Sequence, residues 1–122
     1  MIWLVALSSI TLAALATSAL AATCSTNKVD GGNTACAQRV AQRMCAQLQC
    51  GGSFSQQAIT GVDVRVQGQM SNGACPTNCA AAVSNILSQC IANDFGTGTW
   101  QSGGEWYWIE SVRNTSNGSA QC

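Results

Sequence analysis

The chain has 122 residues, eight of them cysteine; charged side chains make up 8% of it and the formal net charge is zero. Five basic residues (Lys28, Arg39, Arg43, Arg65 and Arg113) leave no clustered cationic footprint for a phosphate backbone, so nucleic acid is not an expected partner. The lack of histidine excludes Ser-His-Asp and Cys-His nucleophilic catalysis, histidine-based ribonuclease chemistry and the zinc sites built on imidazole.

Residues 1–21 are apolar or small throughout, carry no charge and end in Ala19-Leu20-Ala21, a small-x-small cleavage site. This pattern predicts a signal peptide cut after Ala21 and a secreted, extracellular product. The stretch approaches the roughly 20 residues of a membrane span and lacks a basic n-region. Its small-residue end, its terminal position and the cysteine-rich chain downstream favour removal. Residues 22–122 then form a single domain. Much of its apolar content is alanine, a thin core against a backbone entropy cost of about 1–2 kcal/mol per residue. Eight cysteines in an exported chain imply four disulfides, each contributing about 2–4 kcal/mol. Cys75-x3-Cys79 is the closest-spaced pair and has no counterpart of the same spacing, so neither a metal nor another cofactor is implied.

In chain order, residues 33–48 place Cys36, Ala37, Val40, Ala41, Met44, Cys45 and Leu48 on one half of a helical wheel. Gln38, Arg39, Gln42 and Arg43 fall on the other half. An amphipathic helix is predicted, capped by Asn33 or Thr34 and closed by Gly51-Gly52; Arg39 and Arg43 read as its solvated face rather than a recognition patch. Room for short strands exists near Lys28 and over residues 54–59. Val62, Val64 and Val66 alternate with Asp63, Arg65 and Gln67, the clearest strand in the chain.

Pro76 stands at the first position of a second helix, with Cys79, Val83, Ile86, Leu87, Cys90 and Ile91 forming its apolar stripe. Beyond Asn93-Asp94-Phe95-Gly96, two arms flank Ser102-Gly103-Gly104 as a hairpin. In the second arm Trp106, Trp108 and Val112 point one way and Tyr107 and Ile109 the other. This strand is therefore central in a sheet covered on both sides, or covered on one side with tryptophans partly exposed on the other. The fold class is α+β: a disulfide-stapled two-layer sandwich, its antiparallel sheet packed against two amphipathic helices.

The strand GVDVRVQ, the cysteine and short gap before Cys79-x10-Cys90 on a helix, the aromatic strand WYWIESV and a C-terminal cysteine follow one another in a fixed order. Upstream, Cys36, Cys45 and Cys50 surround the first helix. In this spacing and element order the chain resembles the killer toxins of smut-fungus viruses and the killer-toxin-like, necrosis-inducing effectors secreted by plant-pathogenic fungi. The likeness spans most of residues 22–122 with almost no residue identity. It implies an antiparallel sheet packed against two helices, a role in toxicity or virulence, and the bonds Cys24–Cys90, Cys36–Cys79, Cys45–Cys75 and Cys50–Cys122. Sequence alone leaves 105 pairings open, the arithmetic of eight cysteines. Toxic members carry basic residues just before the cysteine matching Cys50, where this chain has Leu48 and Gln49, which weighs against channel block by a cationic side chain.

Three functions compete. The leading one is a non-enzymatic effector or toxin-like protein, monomeric, binding an extracellular protein, membrane or glycan target. The second is a cell-wall or carbohydrate-binding module built on Trp100, Trp106 and Trp108, since tryptophan combines a large apolar area with a wettable N–H. Tyr107 and Trp106 are expected mostly inside, with one tryptophan partly exposed. The third is a small secreted hydrolase using a pair among Asp30, Asp63, Asp94, Glu105 and Glu110, for which glycoside chemistry needs two carboxylates about 5–9.5 Å apart across a cleft. No catalytic residue is assigned. Asn114-Thr115-Ser116 and Asn117-Gly118-Ser119 are N-glycosylation sequons that mark a surface loop.

Overall fold

A computed structural model describes residues 21–26, 28, 29, 32–60 and 62–113, the side chains of residues 59, 60, 62 and 113 excepted. The expected leader before Ala21, the Cys122 end of the Cys50–Cys122 bond, and the sequons at Asn114 and Asn117 lie outside the described residues.

Strand β1 (Thr23–Cys24) is followed by helix α1 (Thr34–Gln47). Of the two candidate caps, Asn33 does the work: its Oδ1 accepts the Cys36 N–H at 3.0 Å and satisfies one of the orphan donors of the first turn. The helix ends where Leu48 turns extended (φ −70°, ψ 130°). Cys36, Ala37, Val40, Ala41, Met44 and Leu48 are buried, whereas Gln38, Arg39, Gln42 and Arg43 are exposed. Strands β2 (Ser53–Thr60) and β3 (Val62–Met70) pair antiparallel in continuous register, from Ser53 opposite Gln69 to Thr60 opposite Val62.

Helix α2 runs Cys79–Gln89, starting three residues after Pro76. Pro76 instead shapes the preceding turn, in which its carbonyl accepts the Cys79 N–H at 3.4 Å. Ile91 leaves the helix as well, into a short 3-10 turn (Ile91–Asn93). Strands β4 (Thr97–Ser102) and β5 (Glu105–Arg113) close on Gly103 and Gly104, both at positive φ (57° and 86°), as a two-residue hairpin turn requires.

The strands form one five-stranded sheet in the order β1-β4-β5-β3-β2, antiparallel at every junction, with β5 at its centre. The class is α+β. Among the described residues no helix is long and apolar enough to cross a membrane. Val64, Val66, Tyr107 and Ile109 share one buried cluster with Val40, Met44, Ile86 and Leu87. Two strand glycines admit helical neighbours at close range: a Cβ at Gly68 would stand 2.6 Å from the Leu48 side chain, and one at Gly98 2.6 Å from Cys90 Sγ and 2.9 Å from the Ile86 side chain. Each is needed for close approach, not for turning.

Three bonds join described cysteines: Cys24–Cys90, Cys45–Cys79 and Cys50–Cys75. The first is the pair the family resemblance implies; the other three implied pairs are corrected. Cys79, not Cys75, reaches Cys45, because α2 begins at residue 79 and brings its first turn against the end of α1. Cys75 lies in the loop before α2, where the Gly51 N–H donates to the Ala74 carbonyl at 2.8 Å, and that loop delivers it to Cys50. Cys50–Cys122 is thereby excluded, as is Cys36–Cys79. Cys36 is itself disulfide-bonded, to none of these six residues.

Candidate functional site: the outward face of the sheet

Alternation along β5 divides its side chains in two. Glu105, Tyr107, Ile109 and Ser111 are buried, while Trp106, Trp108, Glu110 and Val112 are half-buried on the other side. The register extends that outward set across neighbouring strands, because residues directly opposed in an antiparallel ladder share a face. Trp108 stands between Thr99 and Gln67, with Ser55 beyond Gln67. Trp106 stands between Gln101 and Gln69, with Ser53 beyond. Glu110 stands between Thr97 and Arg65, with Gln57 beyond. The face is thus a lattice of amides and hydroxyls around two indoles, with one cation directly opposite one carboxylate and a second carboxylate, Asp63, opposite Val112 at the end of β5.

Two shallow basins mark it. One of about 510 Å³ lies against Trp108 and is bounded by Ser55, Gln57, Arg65 and Gln67. The other, about 270 Å³, lies against Trp106 beside Gln101, Ser102 and the Gly103-Gly104 turn.

Trp100 does not belong to this surface. It is only 6% exposed, opposite Tyr107 on the buried side, its ring centroid 5.9 Å from that of Tyr107, and its indole N–H meets no acceptor among the described residues. Its place as a binding residue is corrected, for β4 shares the alternation of its partner and turns residues 98 and 100 inward. Trp106 and Trp108 are both half-buried, so two tryptophans rather than the expected one keep part of their surface in water.

The acids separate widely in role. Asp30 lies outside the described residues. Asp94 is an exposed turn residue at φ 65°, and Glu110 faces Arg65. Glu105 is the unforeseen one. Although 5% exposed, its carboxylate accepts the Asn78 N–H at 2.9 Å, Asn78 Nδ2 at 2.6 Å, Thr77 Oγ1 at 3.3 Å and the Tyr107 hydroxyl at 2.6 Å. Burial works to raise its pKa, but the donors, Tyr107 foremost and then Asn78 and Thr77, outweigh it and hold the carboxyl below its ordinary value. Tyr107 is pushed well above the ordinary phenol range by burial, then by donating to Glu105 and by its negative charge. The Asn78 side chain makes no cap bond at the start of α2, so Glu105 supplies the anionic cap from a strand 27 residues away. This network is structural. One signal for it was available: Glu105 stands two and four residues before Tyr107 and Ile109, hence on their face.

A further groove of about 590 Å³ runs between the helices, with Val83 and Leu87 along it and Gln38, Gln42 and Ser84 at its edges. Among the described residues no three Cys, Asp or Glu side chains gather as a metal site. Comparisons with protein-family models, with curated proteins and with solved structures match nothing, so the killer-toxin-like resemblance draws no support from them.

Proposed function

We propose that this chain is a small secreted, non-enzymatic protein of the effector or killer-toxin type, which binds a target outside the cell that makes it. The observation that carries this reading is the outward sheet face, where two half-exposed tryptophans stand at the middle of the sheet rather than in its core. Three disulfides within residues 24–90 support an oxidising compartment. We read the architecture as a two-layer sandwich in which two amphipathic helices cover one face of the sheet and leave the other to the target. The carboxylates support no cleft: Glu105 is consumed by capping and Glu110 stands against Arg65.

The test is to apply purified, oxidised protein to plant tissue and to fungal lawns, and to measure its retention on the treated cells. Retention or a tissue response is expected, and it should disappear in the double variant Trp106→Ala/Trp108→Ala with melting behaviour nearly unchanged. Neither retention nor response with the wild-type protein on either material would overturn the reading.

A further inference from the structure

The geometry points to a neutral polysaccharide chain, lying along β5, as the ligand of the outward face. This inference rests on the proposed function and narrows its target to one chemical class.

The first support is the polar lattice. In the ranks through Trp106 and Trp108 every other outward residue named above is Gln, Thr or Ser, neutral side chains that together donate and accept in all directions. The rank through Glu110 has one charge of each sign, Glu110 opposite Arg65. A ligand covered in hydroxyls and carrying no charge complements such a surface. A phosphate-rich or anionic ligand would need a cationic cluster, and Arg65 is alone there. An inserted membrane surface or an obligate protein partner would need a contiguous apolar centre, whereas the indoles are ringed by amides.

The second support is the pair of basins. Each holds one indole, an apolar plate for the C–H face of a sugar ring, with hydroxyl-binding groups at its rim. Trp106 and Trp108 are two residues apart on one strand, about 6.8 Å along it. Adjacent plates in line suit consecutive rings of a chain better than one isolated sugar. The larger basin at Trp108, bounded by two glutamines, is the principal subsite, and Trp106 extends it toward the Gly103-Gly104 turn.

The experiment uses the oxidised protein and three probes: a β-linked glucan, an N-acetylglucosamine oligomer and a mannan. Tryptophan fluorescence and affinity electrophoresis read the binding. At least one neutral polymer is expected to bind, a hexamer of its repeat roughly tenfold or more tighter than the monomer, with little weakening by added salt, as fits an uncharged ligand. Trp108→Ala should lose binding by at least tenfold and Trp106→Ala by less, both keeping the wild-type melting temperature within a few degrees. Failure of all three polymers, while the protein still adheres to cells through Trp106 and Trp108, would overturn the glycan inference and leave the extracellular-binding function standing. Failure on polymers and cells alike would remove both. Equal affinity for monomer and hexamer would overturn the chain-along-β5 geometry, and so would binding untouched by either tryptophan substitution.

Discussion

The two faces of β5 differ by a single step along the backbone and are built on opposite logic. On one side Tyr107 and Ile109 are fully buried, the Tyr107 hydroxyl has a carboxylate to donate to, and glycines stand beside both, Gly68 opposite Tyr107 and Gly98 opposite Ile109. On the other, Trp106 and Trp108 keep part of their surface in water among glutamines and threonines. A chain poor in large side chains would gain most by burying its tryptophans, at about 25 cal/mol per Å² of apolar area. Leaving two of them only half-buried forgoes part of that gain, which is consistent with the contact surface proposed above.

The sharpest way to break this contrast is to truncate neighbours. Tyr107→Ala should lower stability by about 3–5 kcal/mol, since it opens a cavity and strips Glu105 of a donor, whereas Trp108→Ala should cost less than about 1 kcal/mol. Denaturant unfolding of both variants reads the difference; equal losses would mean that Trp108 is a core residue. Next in size is Gly98→Val, expected to cost up to about 3 kcal/mol because the new side chain meets Cys90 and Ile86 at under 3 Å. Thermal melting beside a Gly103→Ala control would separate this loss from turn strain.

Third comes Glu105→Gln, about 1.5 kcal/mol at neutral pH through loss of charge-assisted bonds. A carboxyl held below its ordinary value stabilises the fold fully above its unfolded pKa, about 4.5, and that stabilisation fades as pH falls toward the folded value. Wild-type melting temperature should therefore drop below about pH 4.5 more steeply than that of the variant. Tyr107 acts at the other end: with its folded pKa raised, its contribution is complete below about pH 10 and is lost as pH rises beyond. Smallest is Trp100→Phe, expected to cost under about 1 kcal/mol, because the small cavity it leaves is offset by removal of a buried N–H that has no acceptor among the described residues. A marked loss would reveal an acceptor for that N–H.

Local pattern made much of this fold legible. The α1 stripe, the valine strand, the glycine hairpin and the alternation in β5 are all local signals, and each has its counterpart in the structure, with Cys45 of the stripe only half-buried and the Val62 side chain outside the described residues. Strand β2 was legible only as room for a short strand over residues 54–59, because SFSQQAIT alternates weakly and mixes amides with small side chains. The disulfides were beyond reach for another reason. Eight cysteines leave 105 pairings open, and the expected set rested on the resemblance alone; which sulfurs meet is decided by how α1, α2 and the loop before α2 pack, a non-local matter. Of the site, the outward set on β5 followed from alternation, but which side would be covered did not, and Trp100 was misplaced because its own strand was read without its partner's register. The Glu105 cap joins residues 27 apart and has no local signature.

The strand order has a consequence for how the chain reaches this state. Two of the four junctions, β2–β3 and β4–β5, are contiguous hairpins that close short loops and can zip from their turns within microseconds. The junction that unites them, β3 with β5, joins Val62–Met70 to Glu105–Arg113 and must close the long loop that carries α2 and β4, a slower, non-local step. It is also the junction that seals Tyr107 and aligns Gln67 and Gln69 beside Trp108 and Trp106. The full outward lattice therefore comes into being only at the slow, non-local step, whereas a half-folded chain carrying both finished hairpins holds the two indoles beside Thr99 and Gln101 alone.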